Sequence, residues 1–143
     1  MERKIKVKSI IEIVGSPKEY AEEAMNMVVK KLAERSELKI INKKLFPAEQ
    51  IKDKPFFSTF LDMEFEVGSI DHLLGYCLDF MPGSVEIIDP EDLRTNNLEI
   101  SNVMNDMLAR LHEFNIAIKN LQASNILQQR ELDKIKKSKE DKK

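Results

Sequence analysis

Residues 57–67, FSTFLDMEFEV, then 69–81, SIDHLLGYCLDFM, then Pro82-Gly83 and SVEII at 84–88, decide how this chain is read. In the first stretch Phe57, Thr59, Leu61, Met63, Phe65 and Val67 alternate with Ser58, Phe60, Asp62, Glu64 and Glu66. That is the period of a strand with one face in a core. Ser69 stands where a helix needs its N-cap, and Asp71 suits the positive end of the helix dipole. Ile70, Leu73, Leu74, Cys77, Leu78 and Met81 supply the stripe such a helix would bury. Pro82-Gly83 predicts its end, and Val85 and Ile87 predict a short strand before Pro90.

A second unit of the same kind precedes it. Over residues 4–14, Ile5, Val7, Ile11 and Ile13 alternate on one face, broken by Ser9, and β-branched residues dominate. Gly15 is the expected end of that strand. Ser16 is then the N-cap, Pro17 the first helical position and Glu19 the far side of a capping box. Ala21, Ala24, Met25, Val28 and Leu32 follow helical spacing, and the helix is expected to end near Glu37. Residues 38–46 predict a strand. Residues 47–55, with two prolines and four charged residues, predict a loop.

Two β-α-β halves predict an α+β fold over residues 1–94, a ferredoxin-like βαββαβ sandwich with four antiparallel strands and two helices on one face. Its first and third strands would run antiparallel at the centre, bringing Lys6 and Lys8 near Glu66 and Glu64. Opposite charges across strands contribute about 0.2–1 kcal/mol each. The outward apolar residues Ile10, Val14, Phe60 and Ile88 either gather at one end of the sheet as a docking patch or lie scattered as ordinary surface hydrophobes.

From about residue 97 the pattern becomes a heptad. With Met104 at position a, the a positions are Met104, Leu111, Ile118, Asn125 and Leu132, and the d positions are Ile100, Met107, Phe114, Leu121, Gln128 and Ile135. Nine of these eleven are apolar, over more than four heptads, so residues 95–136 read as a long amphipathic, coiled-coil-like helix with Thr95 as N-cap. Val103, Leu108 and Ala117 widen the stripe in its first half. Asn125 and Gln128 either set the register of a dimer or mark where packing ends. Residues 137–143 are expected to be a disordered, charged tail. A helix this long must have its stripe covered by its own domain, a second copy or another protein. The second copy is the expectation here, through Met104, Met107, Leu111, Phe114, Ile118, Leu121 and Asn125.

Composition bounds the function. The 143 residues are 42% hydrophobic and 34% charged, enough apolar material for one domain with an appendage. The single cysteine, Cys77, permits no internal disulfide and fits a reducing, cytoplasmic setting. MERKIKVK is too charged to open a targeting core, and no apolar run approaches membrane-spanning length. Net charge is −2 but uneven: residues 1–54 carry thirteen Lys and Arg against nine Asp and Glu, whereas residues 55–94 carry one against nine. So acidic a body repels a phosphate backbone, and no nucleic-acid partner is expected.

Recognisable chemistry is sparse. His72 and His112 have no Cys or His partner at metal-ligand spacing, so no metal is expected. Cys77 lies on an apolar stripe without a cation to hold a thiolate. Asp62, Glu64 and Glu66 alternate on one strand face, where opposed lysines favour a solvated charged surface over acid–base chemistry. Gly15-Ser16 and Gly68-Ser69 are strand–helix junctions of a kind that can meet an anion or small ligand, a generic signal. No glycine-rich phosphate loop or catalytic triad occurs, and no cofactor and no enzymatic activity are expected.

The stretch DHLLGYCLDFMPGSVEIIDPEDLR, residues 71–94, resembles the ferredoxin-like C-terminal extension that follows WYL domains in bacterial regulators. Leu73, Leu74, Tyr76, Gly83, Val85, Glu86, Ile87, Ile88, Pro90, Leu93 and Arg94 carry the likeness. The whole chain also resembles an uncharacterised archaeal family. The first resemblance covers residues 57–94 and implies a regulatory or oligomerisation module. The chain lacks the WYL and DNA-binding domains of those regulators, so no ligand residues carry over. The expectation is a non-enzymatic interaction module that self-associates as a homodimer through its C-terminal helix. A small-molecule-sensing regulatory domain of the amino-acid-binding kind is the alternative.

Overall fold

The computed structural model describes residues 3–141. Along the chain run β1 (Ile5–Gly15), α1 (Lys18–Ala33), β2 (Lys39–Gln50), β3 (Phe57–Val67), α2 (Ile70–Phe80), β4 (Ser84–Asp89) and α3 (Asn97–Asp141). The four strands form one antiparallel sheet in the order β2-β3-β1-β4, the ferredoxin-like arrangement expected. The chain divides into two units, residues 1–103 and residues 104–143.

β1 and β3 pair over their whole length, from Ile5 opposite Val67 to Gly15 opposite Phe57. Their alternation sends Ile5, Val7, Ile11, Leu61, Met63, Phe65 and Val67 into the core. α1 covers this face over β1, β2 and β3 with Ala21, Met25 and Leu32, and α2 adds Leu73 and Tyr76. Each large apolar side chain so buried contributes about 1.5–3 kcal/mol.

Ser9, which breaks the apolar alternation of β1, is fully buried with Tyr76. Ser9 Oγ donates to the Ser84 carbonyl oxygen at 2.7 Å, and the Tyr76 hydroxyl lies 2.7 Å from the same Oγ. Since the one proton of Ser9 goes to the carbonyl, Tyr76 is the donor to Ser9. Three elements are thereby joined through one dry hydroxyl pair. The Tyr76 ring packs tilted against Phe65, with centroids 4.7 Å apart, and lies 5.7 Å from Phe80.

Local chemistry shifts several expected boundaries. Pro17, not Ser16, is the N-cap of α1. Its backbone is extended, no side chain caps the helix, and the Tyr20 amide instead reaches the Pro17 carbonyl oxygen at 3.0 Å. α1 stops at Ala33, short of Glu37, because a tight turn with Leu38 N–H donating to Arg35 oxygen returns Leu38 to the core. Arg35 ties that turn to α2, meeting Glu37 at 2.5 Å and Asp79 at 2.8 Å. The expected loop at 47–55 is shorter. β2 continues to Gln50 because an irregularity between Phe46 and Glu49 absorbs Pro47 on an edge strand. Thr59 Oγ1 donates to the Phe46 carbonyl oxygen there, at 2.7 Å.

The stripe of α2 is narrower than its spacing implied. Met81 is 70% exposed and forms the C-cap in the left-handed region at φ 47°, with its N–H on the Cys77 carbonyl oxygen. Tyr76 takes the central buried place. α3 is capped by Asn96, whose Oδ1 accepts from the Glu99 amide at 2.8 Å, so the helix begins after Asn96 and not at Thr95. Residues 137–141, expected to be disordered, continue α3, and 142–143 lie outside the described residues. Arg3 holds this helix start to the sheet, meeting Glu99 at 2.5 Å and the Arg94 carbonyl oxygen.

Two substitutions probe this account. Tyr76→Phe removes one buried hydrogen bond and is expected to lower stability by about 0.5–1.5 kcal/mol in denaturant titrations. Burial pushes the Tyr76 hydroxyl up to about 12. The neutral phenol therefore favours the fold fully below the usual tyrosine range near 10, and that contribution is lost as pH rises toward 12. An ultraviolet titration should show a late phenolate transition that Tyr76→Phe abolishes. Met81→Gly relieves left-handed strain of about 1–2 kcal/mol, offset by about 0.5–1 kcal/mol of extra glycine entropy. Its melting temperature is expected to rise slightly, and a fall would contradict the strain.

Candidate functional site

The outer sheet face is built from the residues that alternate away from the core. Lys39, Glu66, Lys6 and Asp89 stand side by side across all four strands. Asn42, Glu64, Lys8 and Glu86 form the next row, then Lys44, Asp62, Ile10 and Ser84. Lys6 and Lys8 thus fall opposite Glu66 and Glu64. The one ion pair on this face is diagonal, Lys6 Nζ to Glu64 at 3.9 Å, among the described residues. Both side chains are about a third exposed, so the pair adds little by itself, and its consequence is a face whose charges cancel locally.

The apolar outer residues separate into two places. Ile10, Phe60 and Val14 lie toward the Gly15–Phe57 end, where Phe60 is opposite Phe46 as well as Glu12. Ile88 sits at the irregularity of β4 near Lys6 and Val7, at the opposite end of the sheet. The four residues do not form one patch. Phe46 is the aromatic neighbour that sequence reasoning missed, because Pro47 beside it read as the start of a loop. The Lys44 ammonium lies 4.8 Å from the Phe46 ring centroid.

On the other face, a cavity of about 300 Å³ opens between α1 and the β2–β3 pair. Met25 and Leu45 give it apolar walls, and Glu22, Asn26 and Thr59 add polar groups. No pattern in the sequence announced it, since its walls come from three elements. The two strand–helix junctions lie elsewhere. At Gly15 an added Cβ would stand 2.8 Å from the Tyr20 ring, which would have to move aside. At the second junction Ser69 Oγ already accepts from the His72 amide, at 3.1 Å.

Among the described residues no three His, Cys, Asp or Glu side chains come together in a way that could hold a metal ion. Cys77 is half-buried against the core, and burial pushes its thiol up. His72 and His112 are both exposed. No helix among the described residues is long and apolar enough to cross a membrane.

α3 runs 45 residues without one buried side chain. On its heptad face, Met104 is 53% exposed, Leu111 48%, Ile118 53% and Leu121 64%, and Phe114 is also exposed. Only Met107 is partly covered among the expected interface residues, and Asn125 lies open to solvent. The stripe keeps its four-three spacing to Ile135 on one unbroken helix. A model of the MJ0538 family matches residues 6–142, from the second residue of β1 to the last residue but one of the chain. The chain belongs to the MJ0538 family. The match takes in both the sheet and α3. No curated protein and no solved structure matches the chain.

The raised Cys77 thiol has a direct check. In the native protein at neutral pH, Cys77 is expected to react with a disulfide reagent several-fold more slowly than in the denatured chain, with the rate rising as pH increases. Equal rates in the two states would contradict its burial.

Proposed function

We propose that this protein is a non-enzymatic interaction and oligomerisation module of the cytoplasm, in which the α+β unit serves as scaffold and α3 self-associates into a homodimer. The observation that carries this reading is the stripe of α3, spaced four-three from Ile100 to Ile135, apolar except at Asn125 and Gln128 and exposed except at the partly covered Met107. Left in water, such a stripe forfeits about 25 cal/mol for each Å² that could be buried. A single helix gains little from propensity alone, so the ordinary stabiliser of so long an amphipathic helix is a partner's matching stripe. The sparse chemistry of the sheet unit and the locally cancelled charge of its outer face fit a scaffold.

Light scattering on the full chain at tens of micromolar is expected to give twice the chain mass. The double variant Leu111→Lys, Ile118→Lys should give the single-chain mass while the sheet keeps its circular-dichroism signal. A monomeric parent would sink the proposal.

The second reading, a small-molecule-sensing domain of the amino-acid-binding kind, has the cavity between α1 and β2 in its favour. At about 300 Å³ it matches the lower end of small-ligand pockets and mixes apolar walls with polar groups. Thermal-shift measurements against the amino acids, with Met25→Trp as a filled-cavity control, separate the readings.

A further inference from the structure

We infer that two α3 helices pair in parallel and in register, with Asn125 and Gln128 of one chain against the same residues of a second copy. The inference rests on the self-association proposed above and adds its geometry.

The argument comes from where the polar residues fall on the stripe. In a parallel coil, a faces a and d faces d. Each of the nine apolar positions then meets its own kind, and the two carboxamides form adjoining layers in which each side chain can donate and accept. In an antiparallel coil, a faces d. The overlap that uses the whole stripe sets Met104 opposite Ile135, which puts Asn125 against Phe114 and Gln128 against Leu111. Both amides are then desolvated against hydrocarbon without a partner. The antiparallel overlap that does match Asn125 with Gln128 confines pairing to residues 114–139 and leaves Met104, Met107 and Leu111 bare. Only the parallel register satisfies the amides and covers the full stripe.

The flanking charges agree. Glu131 occupies a g position and Lys136 the following e position, the pair that meets between chains in a parallel coil. Asn at an a position also favours two strands over three or four. In such a dimer the two α3 starts lie together at one end of the coil.

The test uses the full chain with Cys77→Ser and a spin label on Lys139→Cys, an a position near the end of the coil. Parallel pairing places the two labels within about 10–20 Å, the separation of packed helices plus the label arms. Antiparallel pairing over the whole stripe puts residue 139 opposite residue 100, about 58 Å along the helix from its counterpart. A single short distance is the expected result. A dimer by light scattering with only a longer distance overturns the orientation and leaves self-association standing. A monomer overturns both. In the same labelled chain, Asn125→Leu is expected to add a second, longer distance or a mass above two chains. An unchanged short distance and mass would overturn the role given to Asn125.

Discussion

The eleven-residue pairing of β1 with β3 is the constraint on which the folded unit depends. Side chains alternate with period two, so a slip of one residue would turn Ile5, Val7 and Ile11 to water and bring Lys6 and Lys8 into the core. The same register that buries one face writes the charge rows on the other. Core and outer surface are thus two consequences of a single alignment. The buried Ser9–Tyr76 pair reinforces it, since a shifted β1 would carry Ser9 away from the hydroxyl that meets it.

How far the sequence could be read depended on whether information was local. The strand at Phe57–Val67, the Ser69 cap and the heptad of α3 were legible because period and capping operate within a few residues. Ser9 read as an interruption, since its reason to be buried is a tyrosine 67 residues away. Tyr76 falls outside the apolar spacing of the α2 stripe, and its burial likewise depends on residues distant in sequence. Pro47 signals a loop on local grounds, and only the edge position of β2 lets the strand absorb it. Ser16 and Thr95 have the right chemistry for caps, yet the chain bends one residue later in each case. Of the outer apolar residues, Ile10, Val14 and Phe60 could be placed by counting along strands, whereas Ile88 was displaced by an irregularity that counting cannot foresee. The candidate cavity was wholly illegible, being a gap between elements.

Charge is distributed along the chain in blocks but not across the sheet. Residues 55–94 are strongly acidic, and the lysines of β1 and β2 come from the basic first third. Interleaving β1 between β3 and β4, with β2 outside, sets lysine strands against carboxylate strands. A sequence-level asymmetry becomes near-neutrality at every row. The same principle appears in the turn after α1, where Arg35 lies between Glu37 and Asp79 and its guanidinium lies 5.5 Å from the Phe80 ring centroid. There the Glu37 carboxyl is held below its usual range by a backbone hydrogen bond and by Arg35, which strengthens the corner at neutral pH and releases it in acid.

The strand order also sets a timetable for the growing chain. β1 precedes the other strands, yet both of its neighbours in the sheet are made well after it, β3 at Phe57–Val67 and β4 at Ser84–Asp89. At a synthesis rate of roughly 5–20 residues per second, the apolar row of Ile5, Val7 and Ile11 waits several seconds before its partners exist. Sheet closure cannot precede residue 89, and α3 leaves the ribosome only after that. A nascent chain therefore carries a central strand without neighbours, in which the alternating lysines Lys4, Lys6 and Lys8 keep an otherwise adhesive segment in solution.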